Sequence, residues 1–171
     1  MPAMNWVPVI GAAMMVAACG GEKAAPVEEA ADALNPGLYE LSSEVTALAS
    51  TDNTTPFTKL KQGDKTTVKA CIAADGKPAS DLFAEATGDK CEFKNSYIRH
   101  GRLSAQMSCT REGRRGEVMP AMMGSFKADS FEGEITSLTY FIEDGDYRMS
   151  RKVSAKRVGD CPAGGVEKAP A

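Results

Sequence analysis

The chain has 171 residues, with 20 basic and 23 acidic side chains and a net charge of −3 at pH 7. This near balance gives no reason to invoke nucleic-acid binding, which is usually carried by a strongly basic domain. The length suits one ordinary domain with one hydrophobic core.

The N-terminal part of the chain carries an export signal. The apolar segment Trp6–Ala18 has about 13 residues, fewer than the roughly 20 that span a bilayer as a helix, and fits the core of a signal peptide. It ends in Val-Ala-Ala-Cys-Gly at 16–20, which resembles a lipobox, the recognition sequence of bacterial lipoprotein precursors. The resemblance implies that a signal peptide, residues 1–18, is removed and that Cys19 receives acyl chains such as palmitate. Gly20, in place of Asp, resembles the pattern of lipoproteins sent to the outer membrane.

One feature departs from the lipoprotein pattern. No Lys or Arg precedes the apolar segment, so the positive region of the signal rests on the terminal amine alone. The alternative is a secreted protein cut near Ala18, in which Cys19 is a free thiol.

Composition divides the rest of the chain into three parts. Residues 19–36 are rich in Ala, Glu and Gly, which predicts a flexible tether that follows the lipidated cysteine. Residues 162–171 are rich in Pro, Gly and Ala and are predicted to be a disordered tail. Between them we predict a single β-rich domain over residues 37–161, with packing that begins near Leu34.

Four cysteines follow Cys19, and we predict that they form two structural disulfides. An even number of cysteines in an exported domain is typical of a disulfide framework. A metal site is the rival interpretation, but it would favour close pairs such as C-x₂-C together with histidine. The cysteines are well separated and the chain has one histidine. The four residues are Cys71, Cys91, Cys109 and Cys161.

The first predicted elements are two strands and a helix. Residues 39–47 alternate, with Tyr39, Leu41, Val45 and Ala47 on the apolar face, and residues 66–72 alternate in the same way. Such a period of two is typical of half-buried strands. Pro78–Thr87 is the one helix candidate, because Ser80 and Asp81 suit an N-terminal cap and Gly88 suits an end.

The segment from Cys91 to Cys109 predicts a hairpin. Its apolar residues fall on odd positions in both arms, and a three-residue loop, 99–101, would keep them on one face. That register places Tyr97 opposite Leu103 and Cys91 opposite Cys109. Opposed Cα atoms lie about 4.5–5.5 Å apart, within the disulfide range of about 4.4–6.8 Å. We therefore predict a Cys91–Cys109 bond, which leaves Cys71 for Cys161.

Three further strands complete the predicted sheet. Pro120 and Gly124 interrupt Glu117–Lys127, which predicts an irregular strand at an edge or a bulge. In Phe131–Ile142 the apolar positions switch from odd to even, which predicts a bulge near 136–137. A two-residue turn at Asp144-Gly145 would then place Ile142 opposite Tyr147 and lead into a last strand that ends near Val158.

These elements predict a mainly β fold, a curled antiparallel meander sheet or partial barrel with one short helix and two disulfides. The lipobox, the strand entry Asn35–Glu40, the spaced cysteines and the closing segment Arg157–Cys161 resemble the domain-of-unknown-function family 3617. The resemblance covers roughly Leu34 to Cys161. It implies an exported, disulfide-bonded β fold, and the family offers no catalytic residues to carry over.

No group of residues in the sequence resembles an active site. His100 falls at a predicted hairpin tip, without a nucleophile to serve. Soft thioether ligands at Met107, Met119, Met122, Met123 and Met149 would suit Cu(I), although Met is also a common filler of cores. The basic turn residues Arg99, Arg102, Arg111, Arg114 and Arg115 would suit either solvent or an acidic envelope component.

We therefore expect no enzyme, no cofactor and no metal, but a binding module for a small apolar ligand or an envelope partner, with the lipid anchor as its contact with the membrane. The alternatives are a purely structural envelope lipoprotein, a Met-based copper binder, or an enzyme of unrecognised type. A deep apolar cavity would favour a ligand carrier, and a filled core with an exposed apolar patch would favour a protein partner.

Overall fold

The computed structural model describes residues 31–162. The predicted signal peptide 1–18, Cys19 with most of the predicted tether 19–36, and nearly all of the predicted tail 162–171 lie outside the described residues. The described chain forms seven strands: β1 Gly37–Ser50, β2 Lys65–Ile72, β3 Lys90–Arg99, β4 Arg102–Thr110, β5 Gly116–Lys127, β6 Ser130–Phe141 and β7 Tyr147–Gly159.

All seven strands belong to one antiparallel sheet, in the order β2-β1-β7-β6-β5-β4-β3. Strands β3 to β7 follow one another as a meander, and β7 then pairs with β1. The sheet does not close, because β2 and β3 are its two edges. It curls around a common core, since Tyr39 of β1, Ile72 of β2 and Met107 of β4 belong to one apolar cluster. The predicted mainly β, curled antiparallel fold is confirmed.

The period-two prediction holds along β1 and β2, with one exception. Tyr39, Leu41 and Val45 are buried, as the alternation predicts. The pairing of β1 with β7 shifts between Val45 and Ala47, and this irregularity turns Ala47 outward into solvent. The prediction that Ala47 faces the core is therefore wrong, because a bulge reverses the sides of a strand beyond it.

The β3–β4 hairpin confirms the predicted disulfide register but not the predicted turn. Cys91 lies opposite Cys109, and the two are bonded. A register shift after Phe93 then moves the pairing by one residue, so that Ile98 and not Tyr97 lies opposite Leu103. The turn is the two-residue His100-Gly101, both at positive φ (50° and 69°), the geometry of a type I′ turn.

Strand β5 is an internal strand and not the predicted edge. It pairs with β6 along its whole length. In its pairing with β4, Gln106 lies opposite Ala121 and Cys109 lies opposite Val118, but no residues are paired between these two positions. Pro120 lies in that interval, so the missing N–H of proline falls where the ladder is already open.

Strand β6 keeps one parity, so the predicted bulge near 136–137 is wrong. Its pairing with β5 is regular from end to end. Ser137 and Thr139 are buried on the inner side, while Tyr140 and Ile142 are 57% and 69% exposed. The inner position of Thr139 accepts a polar residue because its Oγ1 bonds the backbone of Tyr147.

The predicted two-residue turn at Asp144-Gly145 is also wrong. Strand β6 ends at Phe141 and β7 begins at Tyr147, so the loop runs from 142 to 146. Asp146 Oδ1 accepts a hydrogen bond from Phe141 N, 2.8 Å away, and Asp52 Oδ2 accepts one from Gly145 N, also 2.8 Å away. These carboxylates hold the wider loop in place of a tight turn.

Residues 73–89, which we name the plug, link the two edges of the sheet. The predicted helix over 78–87 is replaced by a single 3₁₀ turn, Ser80–Phe83. The carbonyls of Phe83 and Ala84 accept hydrogen bonds from the Arg151 side chain and not from the backbone N–H groups of a continuing helix. Pro78 bridges to Ile72 at the end of β2, and Ser80 Oγ donates to Cys91 O in β3, 2.6 Å away. The plug thereby fills the gap between β2 and β3.

The second disulfide and the N-terminal segment close one end of the fold. Cys71 of β2 is bonded to Cys161, with Cα atoms 5.7 Å apart, as predicted. Leu34 is buried, and Asn35 N donates to Ala128 O in the β5–β6 turn, 2.7 Å away. The chain therefore packs on the sheet before β1 begins.

Candidate functional site

Five polar side chains meet between the plug and the inner face of the sheet, and we name them the ion cluster: Glu85, Asp89, Arg111, Tyr147 and Arg151. Glu85 and Asp89 come from the plug, and the other three come from the end of β4 and from β7. The side chains of Glu85 and Asp89 are 0% and 1% exposed. Buried charges are unusual in proteins unless they are paired, which makes this cluster the first candidate for a site.

Arg111 is the centre of the cluster. Its Nε and Nη2 donate to the two carboxylate oxygens of Asp89 at 2.9 and 2.8 Å, a bidentate pair of the kind that guanidinium geometry favours. Its Nη1 donates to Tyr147 Oη at 2.6 Å and to Phe57 O at 3.2 Å. Removal of one partner from such a buried pair typically costs about 3–5 kcal/mol, so the cluster is held together strongly.

Glu85 is held by two groups of the sheet. Tyr147 Oη donates a short hydrogen bond to Glu85 Oε1, and Arg111 Nη2 lies 3.2 Å from the same oxygen. The second oxygen, Oε2, is buried and makes no hydrogen bond within the described chain. The carboxylate is therefore bound on one side only.

Arg151 lies deeper on β7 and is 4% exposed. Its Nη2 donates to Phe83 O at 2.8 Å, and its Nη1 donates to Ala84 O at 3.4 Å. Its Nε, like Ser137 Oγ on the neighbouring strand, is buried and has no hydrogen-bond partner among the described residues. An unsatisfied buried donor is costly. This end of the cluster therefore has two donors that could bind a further acceptor.

The electrostatics of the cluster follow from burial and from the two plug carboxylates. Burial disfavours the charged form of Arg111, but the hydrogen bond to Asp89 and the charge of Glu85 outweigh it and raise the pKa of Arg111. Burial, helped by the charge of Glu85, also raises the pKa of Tyr147, which keeps the phenol protonated as a donor. Burial lowers the pKa of Arg151 despite the favourable charge of Glu85.

Taken together, the sheet supplies two guanidinium groups and one phenol, and the plug supplies the acceptors. Planar guanidinium groups and a phenolic hydroxyl are donors suited to a carboxylate. The chemistry that this arrangement supports is recognition of a carboxylate in a dry environment. The residues described contain no group of three or more His, Cys, Asp or Glu side chains placed to hold a metal ion.

A second candidate surface lies on the outer face of β5 and β6, and we name it the docking face: Met119, Ala121, Met123, Leu138 and Tyr140. Met119 lies opposite Leu138 in the sheet. Met119, Met123 and Tyr140 are 43%, 72% and 57% exposed. On β4 the outward neighbours are uncharged, namely Ser104, Gln106 and Ser108. The docking face is thus an apolar area with an uncharged border on one side.

The outer faces of β2, β1 and β7 are covered by opposite charges. Lys65 pairs with Glu44 at 3.3 Å, and Lys69 pairs with Glu40 at 3.4 Å. On the other side of β1, Lys152 lies opposite Glu44 and also opposite Glu134 of β6. This alternation solvates β2, β1 and β7, and it reaches the docking face at Glu134, which lies opposite Met123.

The candidate residues from the sequence are dispersed by the fold. His100 is exposed at a hairpin tip, as predicted, with Nδ1 3.0 Å from Asp32 Oδ1. Met107 and Met122 are in the main core, Met149 is in a separate core cluster, and Met119 and Met123 are on the outer face, so the five thioethers do not converge on one copper site.

Of the predicted basic turn residues, Arg111 is the exception, because it is buried. Arg99, Arg102 and Arg115 are exposed, and Arg114 stacks on Phe57 with its guanidinium 3.7 Å from the ring centroid. The prediction that Arg111 belongs to a solvated basic turn is therefore wrong. The carboxylates of the plug draw it inward.

The sequence reasoning missed Glu85, Asp89, Tyr147 and Arg151 as members of a site. Arg151 could have been found, because the odd residues of β7, from Tyr147 to Ala155, alternate inward and a charge at such a position must be paired. Glu85 and Asp89 lie in a segment without regular structure, so no periodic pattern marks them.

The fold and its sites define a class of protein: a curled, unclosed antiparallel sheet whose interior is filled by its own plug. The chain belongs to the family described as "Protein of unknown function (DUF3617)", whose family model matches residues 34–161. No curated protein and no solved structure matches the chain. In the part of the chain that the structure describes, no helix is long and apolar enough to cross a membrane.

Proposed function

We propose that the protein is a lipid-anchored binding module on the periplasmic side of the cell envelope, held at the outer membrane, that docks an envelope protein through the docking face. In this proposal it works by binding and performs no catalysis. The observation that carries the proposal is the docking face itself, an exposed apolar area on a sheet whose strands β1, β2 and β7 carry opposite charges on the same outer face.

The composition of the docking face supports a protein partner. Interface cores are enriched in Tyr and Met and depleted of charges. Met123 and Tyr140 are more than half exposed, although burial of such side chains is favourable by about 25 cal/mol per Å² of apolar area. Large exposed apolar patches on soluble domains mark sites of interaction. The partner that fits is a protein with an apolar, uncharged surface of its own.

The filled interior of the sheet favours a protein partner over a small ligand. Leu82 and Phe83 of the plug are buried, together with side chains from the strands. A pocket of about 340 Å³ at the ends of β5, β6 and β7 is lined in large part by exposed side chains of the outer face, such as Ser125, Glu132 and Ser154. The space that a carrier would offer is taken by the plug.

The anchor leaves the docking face accessible. Ala31 O accepts a hydrogen bond from Gly101 N at 2.8 Å, so the described chain begins at the end of the sheet where the β3–β4 turn lies. From Cys19 to this point an extended chain reaches at most about 40 Å. A flexible tether leaves the domain free to turn the outer face of the sheet toward neighbouring proteins.

Photocrosslinking in living cells tests the docking proposal. A benzophenone amino acid at Met123 should give one discrete adduct, whereas the same probe at Lys152 on the charged part of the outer face should not. The partner identified from the adduct should bind the purified protein at least tenfold more weakly after Met123→Glu and Tyr140→Ser, but not after Lys152→Glu. Equal adducts from both positions, or no loss of affinity in the variants, would refute the proposal.

Metabolic labelling tests the anchor. Cells fed an alkyne analogue of palmitate should label the protein and carry it in the membrane fraction. Cys19→Ser should abolish the label and release the protein. A labelled Cys19→Ser variant, or an unlabelled parent that is processed near residue 18, would show that the anchor is absent.

A further inference from the structure

The plug places a carboxylate and an apolar segment side by side in the core. The Glu85 side chain is 0% exposed at the ion cluster. Leu82 and Phe83, just before it, are 4% and 0% exposed within the main apolar cluster. One short peptide therefore occupies the core in the manner of an amphiphile, with a charged head and an apolar tail.

The head position has more donors than Glu85 uses. Tyr147 and Arg111 bind one oxygen of its carboxylate. Arg151 Nε and Ser137 Oγ are buried and have no hydrogen-bond partner in the described chain. Ser137 lies opposite Met149, between Tyr147 and Arg151 on β7. A carboxylate that sat slightly deeper than that of Glu85 would find these two donors as well.

The tail position leads to an opening. The ring of Phe83 packs against that of Phe131, with centroids 5.8 Å apart. Phe131 lies opposite both Phe126 of β5 and Ala155 of β7, near the end of the sheet. If Phe83 withdrew, the space it leaves would be lined by these apolar side chains and could take an apolar chain of similar bulk.

The part of the plug that follows Glu85 is anchored separately. Gly88, with φ of +92°, lies in a turn that is closed by hydrogen bonds from Ala86 N to Asp89 Oδ2 at 3.0 Å and from Asp89 N to Ala86 O at 3.2 Å. This turn and the bidentate pair of Asp89 with Arg111 can stay in place while residues 82–85 move away. Gly76, with φ of +69°, is the corresponding position at the other end of the plug.

We propose that Leu82–Glu85 is an internal occupant of a binding site for an amphiphile with a carboxylate head and a single long apolar chain, and that the ligand enters by exchange with it. This inference goes beyond the docking function and does not depend on it. Opening without a ligand would leave Tyr147 and two buried arginines short of an acceptor, which is strongly unfavourable. Exchange of one carboxylate for another gives Tyr147 and Arg111 a new acceptor, offers Arg151 one in place of the carbonyls of Phe83 and Ala84, and keeps the apolar area buried.

Binding of dodecanoate, compared with dodecan-1-ol, tests the exchange. The protein is the exported full chain with Cys19→Ser, so that its own acyl groups do not interfere. Glu85→Gln removes the competing charge but keeps the shape and the Asp89–Arg111 pair. By isothermal titration it should bind dodecanoate at least tenfold more tightly than the parent, with no gain for the alcohol. Glu92→Gln, an exposed carboxylate on β3, is the matched control and should behave as the parent.

Two further measurements make the result decisive. Ser137→Ala, in the Glu85→Gln background, should weaken dodecanoate binding, because it removes a donor from the head position. Hydrogen exchange of the parent saturated with dodecanoate should become faster at 82–86 and unchanged in β5 and β6. The proposal is overturned if Glu85→Gln gains nothing, gains equally for the alcohol, or if dodecanoate binds without a change at 82–86. Met123→Glu should leave dodecanoate binding intact, which separates this site from the docking face.

Discussion

Asp52 joins two loops at one end of the sheet through its carboxylate. Its Oδ2 accepts hydrogen bonds from the backbone N–H groups of Gly145 and Asp146, at 2.8 and 2.9 Å. Its Oδ1 accepts from the backbone and hydroxyl of Thr54, at 2.9 and 2.7 Å, and from Ser50 Oγ at 3.0 Å. These bonds lower the pKa of Asp52 well below its ordinary value of 3.8, the bond from Gly145 most of all.

We predict that Asp52 contributes stability that depends on pH. A carboxyl group whose pKa is depressed on folding favours the folded state above its unfolded pKa, and this contribution is lost as the pH falls toward the lower folded value. At pH 7, Asp52→Asn should therefore have a lower urea midpoint than the parent. The gap should narrow as the pH is lowered from 5 to 2, although part of it should persist because the amide cannot accept every bond.

Asp144→Asn is the control for this prediction. Asp144 lies in the same β6–β7 loop and is exposed, so the neutral variant should unfold as the parent does across this range. A gap for Asp52→Asn that stays constant with pH would contradict the prediction, since it would show that the loss comes from geometry and not from ionisation.

At the scale of single residues, the sequence predicts a polar residue in the core only where that residue falls on the inner face of an alternating strand. The alternation of β7 places Arg151 inside, and the same logic extends to Ser137 and Thr139 once β6 is known to keep its parity. Arg111 follows the end of β4, where the alternation stops, so its inward direction depends on Asp89 and Glu85. Those partners come from the plug, whose sequence has no periodic pattern of apolar residues.

Among the strands, β5 and β6 approach each other closely at a pair of opposed glycines. Gly124 lies opposite Gly133. A Cβ added at Gly124 would collide with Glu132 O and come within 2.9 Å of Gly133 Cα. The two backbones therefore need the absence of a side chain at this point.

We predict that Gly124→Ala destabilises the fold by roughly 1–3 kcal/mol, the usual cost of overpacking. The measurement is urea unfolding followed by circular dichroism. Gly159→Ala, at the end of β7 where an added Cβ has no neighbour within 4 Å, should change the midpoint little. Equal effects of the two substitutions would show that backbone entropy, and not the close approach, explains the loss.

For the elements as a whole, alternation predicted which strands exist better than it predicted their registers. It located every strand, because each has one wet and one dry face. It failed in β6, where Leu138 and Tyr140 belong to the outer docking face and were assigned to the core. It also missed the shifts after Phe93 and Val45, because one extra residue in a strand leaves only a small trace in the sequence.

At the scale of the whole molecule, the two disulfides constrain the chain very differently. Cys71–Cys161 joins residues 90 positions apart, whereas Cys91–Cys109 joins residues 18 positions apart within one hairpin. The first therefore restricts most of the unfolded domain and the second only a short loop.

We predict that loss of the long-range bond costs more. On the chain-entropy estimate, Cys71→Ala with Cys161→Ala should lower the free energy of unfolding by about 4–5 kcal/mol, and Cys91→Ala with Cys109→Ala by about 3 kcal/mol. Urea unfolding of the two oxidised double variants gives both values. The opposite order would show that native packing of the buried Cys91–Cys109 pair outweighs its short loop.

The positions of these bonds also bear on what a protease could do to the plug. Cys71 lies just before the plug and is bonded to Cys161 beyond the last strand, so the chains on either side of any cut within residues 73–89 stay covalently joined. A nicked molecule would migrate as one band without reductant and as two bands with it. The plug is attached to β2 at one end and to β3 at the other. Cleavage between Gly76 and Glu85 would leave each part of it attached at one end only, while the seven strands remain intact. If the plug exchanges with a ligand as proposed, limited proteolysis would make its opening permanent.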